Sequence, residues 1–339
     1  MRRILHSREF FMLCILIGLS IIITLISPSF IELGNIKNII MNNIILAIMA
    51  LGMTLVVVTA GIDVSVGSQL GFAAIFVGLT AINPSSNIFM LILIGVVCGI
   101  LLGLLNAVLI AGAEIPPIVV TLGTLSIYRG GILLYTKGKW VADLPPWYRM
   151  LYNSKFLGIP TPIWFLLITF IITYALSKYT RLGRSVYAMG GNKVAAKRVG
   201  INTGIVNLFV FGYMGALTGV ASILYGSQLG IIDPNAGTNF ELMVIAAVVI
   251  GGANILGGSG SLIGTLIGVM ILGVLQNGMV LMHVETYWQD VVMGALIILT
   301  VSIDVVKNQK AELRKNAIDV EGENESKTGG QVYEANMEV

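Results

Sequence analysis

The sequence has little charge for its length. Only 11% of its 339 residues are charged and 56% are apolar, whereas a soluble domain carries about 25% charged residues. This composition excludes an ordinary soluble protein and predicts several membrane spans of about 20 residues each. The 40 glycines fit this class, because small residues let helices approach closely in lipid. Two pairs, Gly99 with Gly103 and Gly264 with Gly268, have the four-residue spacing of such helix contacts.

The residues that usually carry catalysis or bind metals are also scarce. Cys14 and Cys98 have neither a metal-binding nor a disulfide spacing, so we interpret both as small buried hydrophobic residues. His6 and His283 lie far apart in the sequence. The glycine-rich run 257–261 lacks the lysine of a phosphate-binding loop, and no nucleophile elbow occurs. We therefore expect a protein that is not an enzyme and has no metal site.

Apolar segments predict an all-α integral membrane protein with about ten transmembrane helices, some of them broken or interrupted. The first apolar run is long and no Ala-x-Ala-like cleavage site follows it, so we interpret it as a retained span and not as a secretory signal. The predicted spans are 10–27, 38–60, 67–82, 88–111, 117–135, 161–178, 205–230, 241–254, 260–282 and 287–305.

The distribution of lysine and arginine predicts that both ends of the chain are cytoplasmic. Fourteen of the 20 basic residues fall before residue 10, within 178–198 or after residue 304, whereas five fall in loops on the other side. Residues 1–9 are then a cytoplasmic N-terminus. The acidic segment 306–339 has no helical periodicity and is predicted to be a disordered cytoplasmic tail.

Polar, glycine-rich patches interrupt the apolar chain. The patches 61–68 and 257–261 each end one span and lead into another, which weakly suggests an internal repeat of the kind that transporters carry. A bilayer tolerates irregular backbone only where it is buried in protein or lines a cavity, so the patches indicate the working interior of the protein. Asp63 either caps the backbone N–H groups of the following helix or contacts a substrate.

Several polar side chains lie within the predicted spans. Thr121, Thr124 and Tyr128 are spaced at i, i+3 and i+7 and therefore share one helix face. Such groups either line a pathway for a polar solute or hydrogen-bond to one another across helices. The candidates for the pathway and its gating are Asn42, Asn43, Asp63, Ser65, Ser68, Asn106, Thr121, Thr124, Tyr128 and Asn277.

The segment 181–202 lies between spans on the predicted cytoplasmic side. Ala195, Ala196 and Val199 give it a small apolar face on a short helix that ends near Gly200. With its basic flanks, this helix either docks into a groove of a partner protein or lies on lipid headgroups.

In their order along the chain, these patches resemble the permease family of ribose-type ABC importers. The resemblance covers about residues 40–305 and rests on several independent motifs. They are 61–68 (Gly-Ile-Asp-Val-Ser-Val-Gly-Ser), 115–124, 128–130 (Tyr-Arg-Gly), 183–192, 234–237, 241–242, 245–252, 257–260 and 276–278.

The resemblance implies that 10–305 is a transmembrane permease domain that pairs with a second permease subunit, as a homodimer or a heterodimer. The pair would work with cytoplasmic ATP-binding subunits and an extracytoplasmic solute-binding protein. This chain itself would bind no cofactor, because ATP and Mg²⁺ belong to the partner ATPase. The segment 179–204 would be the cytoplasmic coupling loop, which favours docking over the headgroup alternative. The implied coupling residues are Gly183, Arg184, Tyr187, Gly190, Gly191, Asn192, Ala195, Ala196 and Gly200.

The motifs divide between branches of that family. Residues 126–130 and 135–140 look more like autoinducer-2 permeases, whereas 61–63 and 188–192 look more like pentose and hexose permeases. We therefore expect a monosaccharide of the ribose, xylose or rhamnose class, or autoinducer-2, to cross the cytoplasmic membrane. The alternative is an ion-coupled secondary transporter of a small polar solute, which would need intramembrane carboxylates as cation sites. The available carboxylates are Asp63, Glu114, Asp233 and Glu241.

Overall fold

The computed structural model describes residues 8–296, 298–299 and 302, and their backbone is largely helical. The chain divides into two units, Met1–Met293 and Gly294–Val339, and the elements named below belong to the first. The predicted acidic tail, 306–339, lies outside the described residues.

The helices follow one another with short connections. In chain order they are α1 (Arg8–Ile26), α2 (Leu33–Asn42), α3 (Ile44–Val58), α4 (Val66–Ile82), α5 (Ile88–Gly112), α6 (Pro117–Thr136), α7 (Pro146–Asn153), α8 (Thr161–Tyr179), α9 (Arg181–Gly191), α10 (Lys193–Arg198), α11 (Thr203–Leu229), α12 (Phe240–Ile250) and α13 (Leu262–Leu281). A 3-10 turn, Pro28–Ile31, precedes α2, and the antiparallel pair β1 (Lys155–Phe156) and β2 (Ile159–Pro160) follows α7.

Six of the described helices are long and apolar enough to cross a membrane: α1, α5, α6, α8, α11 and α13. The helices α2 and α3 pass the same test together but are bent by 44°. The apolar helices α4 and α12 are shorter, with 17 and 11 residues. These findings confirm an all-α membrane protein with a broken helix. Helices occupy the first nine predicted spans, and the tenth falls partly outside the described residues.

The bend between α2 and α3 is centred on Asn43. Its side-chain amide donates to the carbonyl oxygen of Ile39 at 2.8 Å, which offers the backbone an alternative partner at the end of α2. The same side chain packs against Gly273 on α13, where a Cβ atom would overlap it. The predicted second span is therefore two helices, and a glycine on its neighbour makes room for the bend.

Glycine contacts join α5 to α11 over two turns. Gly95, Gly99 and Gly103 lie four residues apart on α5, and they face Gly215 and Gly219 on α11. A Cβ at Gly99 would overlap the carbonyl oxygen of Gly215, and a Cβ at Gly219 would overlap that of Gly95. The two backbones are thus in direct contact, which confirms the helix contact predicted from Gly99 and Gly103.

The second predicted glycine pair also makes a helix contact. Gly264 packs on the backbone of Gly251, and Gly268 packs on that of Ala247. This contact holds α13 against the end of α12.

The irregular segment 230–239 runs alongside α4 instead of staying at one end of it. Gly78 contacts Ile232, Gly71 contacts the carbonyl of Ala236, and Gly67 contacts the carbonyl of Gly237. Gly67 and Gly78 are 11 residues apart, so the segment follows α4 for about 16 Å at 1.5 Å per residue. It then leads directly into the short helix α12.

The interpretation of both cysteines as buried is wrong. Cys14 is exposed and Cys98 is partly buried. The helix α1 contributes little to the interior, since only 6% of its apolar window is buried within the chain. A membrane helix at the periphery exposes apolar side chains to lipid, so an apolar neighbourhood in the sequence does not predict burial here.

We predict that Gly99→Ala separates α5 from α11, because the new methyl group would overlap the carbonyl of Gly215. Overpacking of this kind costs about 1–3 kcal/mol of unfolding free energy. Thermal unfolding in detergent should show a lower midpoint. The matched control is Gly112→Ala on the same helix, where nothing lies within 4 Å of the new methyl group. Equal midpoints for the two variants would contradict the close contact.

Candidate translocation and coupling sites

A buried polar cluster surrounds the break between α3 and α4. Asp63 and Ser65 belong to the break, Gln69 lies on the first turns of α4, and Asn106 lies on α5. All four side chains are fully buried. In the low dielectric of a membrane-protein interior, such groups persist only when they are hydrogen-bonded.

The cluster is centred on the carboxylate of Asp63. Its Oδ1 accepts from the backbone N–H of Ser65 at 2.9 Å and from the Ser65 hydroxyl at 2.6 Å. Its Oδ2 accepts from Gln69 at 3.2 Å and from Asn106 at 3.5 Å. Both amides also donate to the Ser65 hydroxyl oxygen at 2.8 Å. Asp63 therefore fixes the start of α4 and links it to α5.

The helix α6 joins the same cluster. The Tyr128 hydroxyl lies 2.8 Å from the carbonyl oxygen of Leu102, to which it donates, and 3.3 Å from Asn106 Oδ1. The Thr121 hydroxyl donates to the carbonyl of Ile62 at 3.3 Å, and Thr124 donates to the carbonyl of Thr121 at 3.3 Å. The Thr121 bond holds α6 against the irregular backbone of the break, and the Tyr128 bonds hold it against α5.

The structure thus brings together six of the pathway candidates. They are Asp63, Ser65, Asn106, Thr121, Thr124 and Tyr128, and each is buried. Most of their hydrogen bonds run between segments of this chain, as in the interhelical alternative, whereas that of Thr124 stays within α6. Their part in a pathway stays a prediction.

The other four pathway candidates lie elsewhere. Asn42 is exposed and accepts from Gln228 at 3.3 Å, while Asn43 forms the bend described above. Ser68 is buried on α4 and donates to the carbonyl of Ser65 at 2.8 Å. Asn277 on α13 forms a reciprocal amide pair with Asn35 on α2, with bonds of 2.8 and 2.9 Å. The last pair joins two helices.

The predicted coupling segment folds as two short helices with defined ends. The Thr180 hydroxyl accepts from the backbone N–H of Gly183 and so caps α9, and Asn192 Oδ1 accepts from that of Ala195 and caps α10. The helix α10 ends with Gly200 in a left-handed conformation at φ +85°. Bonds from Gly200 to Lys197 and from Ile201 to Ala196 complete a Schellman motif, as the glycine predicts.

Three segments meet at the end of α9, and we call this meeting point the junction: 58–60, 190–191 and 257–258. Gly190 packs on the carbonyl of Val58 so closely that a Cβ would overlap it. The backbone N–H of Gly258 donates to the same carbonyl at 2.9 Å. Gly257 approaches both Gly190 and Ala60. The second predicted glycine-rich break therefore contacts the coupling segment, and both contact residues 58–60, which lie directly before the first predicted break.

Tyr187 strengthens the junction from α9. Its hydroxyl donates to the carbonyl of Gly260 at 3.2 Å. Burial raises the pKa of Tyr187, so the hydroxyl keeps its proton and remains a donor at physiological pH. Gly183, another coupling candidate, is buried beneath α9 against the backbone of Ser177, whereas Arg184 is exposed.

The helix α10 presents a mixed apolar and basic surface away from the protein. Val194 is 61% exposed and Val199 is 77% exposed, and Ala195, Lys193 and Lys197 are exposed as well. Lys197 forms an exposed ion pair with Glu114 at 3.9 Å. Ala196 is only 3% exposed, so the predicted outward face of Ala195, Ala196 and Val199 is wrong for Ala196. Successive residues of an α-helix point about 100° apart, so the adjacent Ala195 and Ala196 do not share one face.

Comparison with known proteins identifies the family. The sequence profile described as "Branched-chain amino acid transport system / permease component" matches residues 35–301. The chain belongs to this permease family. It is 37% identical over 296 residues to the ribose import permease protein RbsC of Escherichia coli strain K12, covering 85% of this chain and 91% of the relative. It is thus a multi-pass membrane protein, and its relatives are transport components.

Two further relatives support the family assignment of this permease. The ribose import permease protein RbsC of Haemophilus influenzae is 36% identical over 307 residues, covering 89% of this chain and 94% of the relative. The autoinducer 2 import system permease protein LsrC of Salmonella typhimurium is 38% identical over 254 residues, covering 75% of this chain and 73% of the relative. No solved structure matches the permease.

Two polar residues, Gln69 and Arg129, were not among the site candidates from the sequence, although Arg129 belongs to the motif 128–130. Gln69 follows Ser65 by four residues, and this helical spacing is the signal that places it in the cluster. Arg129 is a charge within an apolar span, and its Nη1 donates to the carbonyl of Ala236 at 2.8 Å. Among the described residues of the permease, no group of three or more histidine, cysteine, aspartate or glutamate side chains could hold a metal ion.

We predict that Asp63→Ala destabilises the permease, because it removes the acceptor for Ser65, Gln69 and Asn106 inside the protein. Each buried polar group left unsatisfied costs about 1–3 kcal/mol. Thermal unfolding in detergent should therefore show a large loss relative to Ser68→Ala, which removes one buried hydroxyl from the same turn. If Asp63→Ala unfolds like the wild type but loses transport, Asp63 serves the pathway and not the break.

Proposed function

We propose that this permease is the membrane-spanning subunit of an ABC importer that moves a monosaccharide or sugar-like solute across the cytoplasmic membrane. The observation that carries the proposal is that ribose and autoinducer 2 import permeases align with 85% and 75% of the chain. The solute classes are accordingly ribose, related pentoses and deoxyhexoses, and autoinducer-2. Energy comes from ATP hydrolysis by partner subunits, and the permease itself binds neither ATP nor Mg²⁺.

The proposed partners follow from the import systems to which the relatives belong. Cytoplasmic ATP-binding subunits contact the permease from one side, and an extracytoplasmic solute-binding protein delivers the solute from the other. A second permease subunit, either another copy or a related chain, completes the pathway. Partner docking shifts the population between two packings of the permease pair, each open to one side.

The proposed topology has about ten spans with both termini in the cytoplasm. Contacts in the structure support the predicted alternation of sides. On the predicted external side, Val141 pairs with Ile232 as a β-bridge. On the predicted cytoplasmic side, Tyr187 bonds to Gly260 and Lys197 pairs with Glu114. Each of these contacts joins two segments that the distribution of basic residues assigns to the same side.

The junction supports a role for α9 and α10 in coupling. The exposed surface of α10 is available to a partner. At the end of α9, the backbone of Gly190 packs directly on the carbonyl of Val58, with no side chain between them. A displacement of α9 must therefore move the end of α3 and the segment before α13 together, since close-packed backbones cannot absorb it locally. This geometry links a cytoplasmic partner to both breaks in the membrane.

The experiment that tests the function is purification of the permease from native membranes, followed by uptake measurements in vesicles. We expect a nucleotide-binding subunit and a solute-binding protein to co-purify. Ribose or autoinducer-2 uptake should require ATP and should survive collapse of the ion gradients. Uptake by the permease alone that stops when the gradients collapse would instead establish an ion-coupled secondary transporter.

We predict that Ala195→Leu and Gly191→Leu uncouple ATP hydrolysis from uptake. Both positions are exposed, and nothing lies within 4 Å of a Cβ added at Gly191, so neither change should disturb folding. Solute uptake should fall while the ATPase activity of the assembled importer persists. The control is Ser85→Leu, an equally exposed position on the opposite side of the predicted membrane. Normal uptake by both the Ala195→Leu and the Gly191→Leu variants would rule out this surface as the coupling site.

A further inference from the structure

An exposed polar surface lies within the membrane-spanning part of the permease, apart from the buried Asp63 cluster. It is formed by Ser126 and Arg129 on α6 and by the segment 235–239 beside them. We call it the polar surface. None of these residues was among the pathway candidates derived from the sequence. The inference below rests on the proposed function and assigns the solute-facing side of the permease.

Arg129 lies deep in a membrane span. It is the thirteenth residue of α6, about 18 Å from the start of the helix and about 10 Å from its end at 1.5 Å per residue. Its side chain is only partly buried. An arginine at such a depth is not tolerated against lipid and faces protein or water instead.

Most of the hydrogen-bonding capacity of Arg129 is unused. Its Nη1 donates to the carbonyls of Ala236 at 2.8 Å and Pro234 at 3.5 Å. Among the described residues, no group accepts from its Nε or Nη2. A guanidinium has five N–H donors, so the remaining ones require water or a passing polar molecule.

The segment that Arg129 contacts also exposes polar side chains at depth. Gly67, 11 residues before Gly78 on α4, contacts Gly237, so the segment reaches the inner part of that helix. Asn235, Thr238 and Asn239 are nevertheless exposed. Irregular backbone with exposed polar groups is found at membrane depth only where it lines a water-filled cavity or is covered by protein.

Two carboxylates place negative charge beside Arg129. Glu241 and Asp233 both interact electrostatically with its guanidinium, and both are partly exposed. Glu241 Oε2 is enclosed and has no hydrogen-bond partner among the described residues. Because this oxygen is enclosed, it offers no acceptor to a solute in this structure. The accessible groups of the polar surface are the free N–H donors of Arg129 and the exposed side chains of segment 235–239.

The surface of α6 around Arg129 is mixed, with exposed Leu122 and Leu133 at either end of it. Ser126 lies three residues before Arg129 and is exposed, and Gly123 and Gly130 have open space where a side chain would lie. Exposed faces of α5 and α8 instead carry large apolar residues such as Leu101 and Ile171.

We propose that the polar surface lines the aqueous solute pathway, with Arg129, Thr238 and Asn239 as the groups that meet the hydroxyls of the passing solute. The buried Asp63 cluster then stabilises the break between α3 and α4, and the pathway runs along the polar surface instead of through that cluster. Contacts to one charged group and a few neutral amides and hydroxyls attract a sugar without trapping it.

The test uses single cysteines in the assembled importer, in membranes, on a Cys14→Ala, Cys98→Ala background. The variants Ser126→Cys and Thr238→Cys probe the polar surface. The variants Leu101→Cys and Ile171→Cys are matched controls, because both positions are exposed and lie near the middle of their spans. The probe is a membrane-impermeant cationic methanethiosulfonate reagent, and the readout is the rate of modification.

We expect both polar-surface cysteines to react at least about tenfold faster than the controls, because an apolar environment raises the pKa of a thiol and each unit reduces the reactive thiolate tenfold. Modification at the control rate or slower in an importer that transports would overturn the inference, since the surface would then be covered by lipid or protein.

A second measurement tests Arg129 itself. Arg129→Gln should reduce ribose uptake about tenfold through the loss of a charge-assisted hydrogen bond, while Arg129→Lys should retain part of it. Subunit co-purification should be unchanged in both. Wild-type rates in Arg129→Gln would remove Arg129 from the pathway. If the single-cysteine variants label as expected but the wild-type importer transports neither ribose nor autoinducer-2, the proposed solute class alone is refuted.

Discussion

Direct backbone contact at glycine residues is the interaction on which the rest of this structure depends. Lipid provides no hydrophobic force between helices, so their association relies on close packing and interhelical hydrogen bonds. Gly99 packs on Gly215 between α5 and α11, Gly67 packs on Gly237 beside α4, and Gly190 packs on Val58 at the junction. Each contact would be lost with the addition of a single Cβ. Together they position the long helices, the irregular segment and the coupling helices.

Polar residues in this permease serve two different purposes. The side chains of the Asp63 cluster are buried and hydrogen-bond to one another and to neighbouring segments. These hydrogen bonds stabilise an irregular backbone at membrane depth. The polar surface around Arg129 is partly exposed and leaves donors of the guanidinium open. The first arrangement makes the break between α3 and α4 rigid. The second leaves groups free to exchange partners, as a transient contact with a solute demands.

The junction gives a physical route between a cytoplasmic partner and the membrane interior. The end of α9 touches the end of α3 and the glycine-rich segment 257–258, and the hydrogen bond from Gly258 to Val58 joins those two to each other. Because no side chains lie between these backbones, side-chain rearrangement cannot absorb a movement of α9, and the movement is passed on to the neighbouring segments. The same closeness explains why two of the three segments, 190–191 and 257–258, consist of glycine.

The sequence by itself determined the class of the protein, the helical character of the first nine predicted spans, the end of the coupling helix at Gly200, and two glycine contacts. These follow from composition, apolar length and local capping chemistry, which are properties of neighbouring residues. Only the tertiary structure decided which polar residues meet. Asn277 pairs with Asn35, Ala196 turns inward, and Arg129 reaches Ala236, all across long sequence separations or through helix orientation. A single sequence contains helix periodicity, but it does not record which face of one helix is packed against which neighbour.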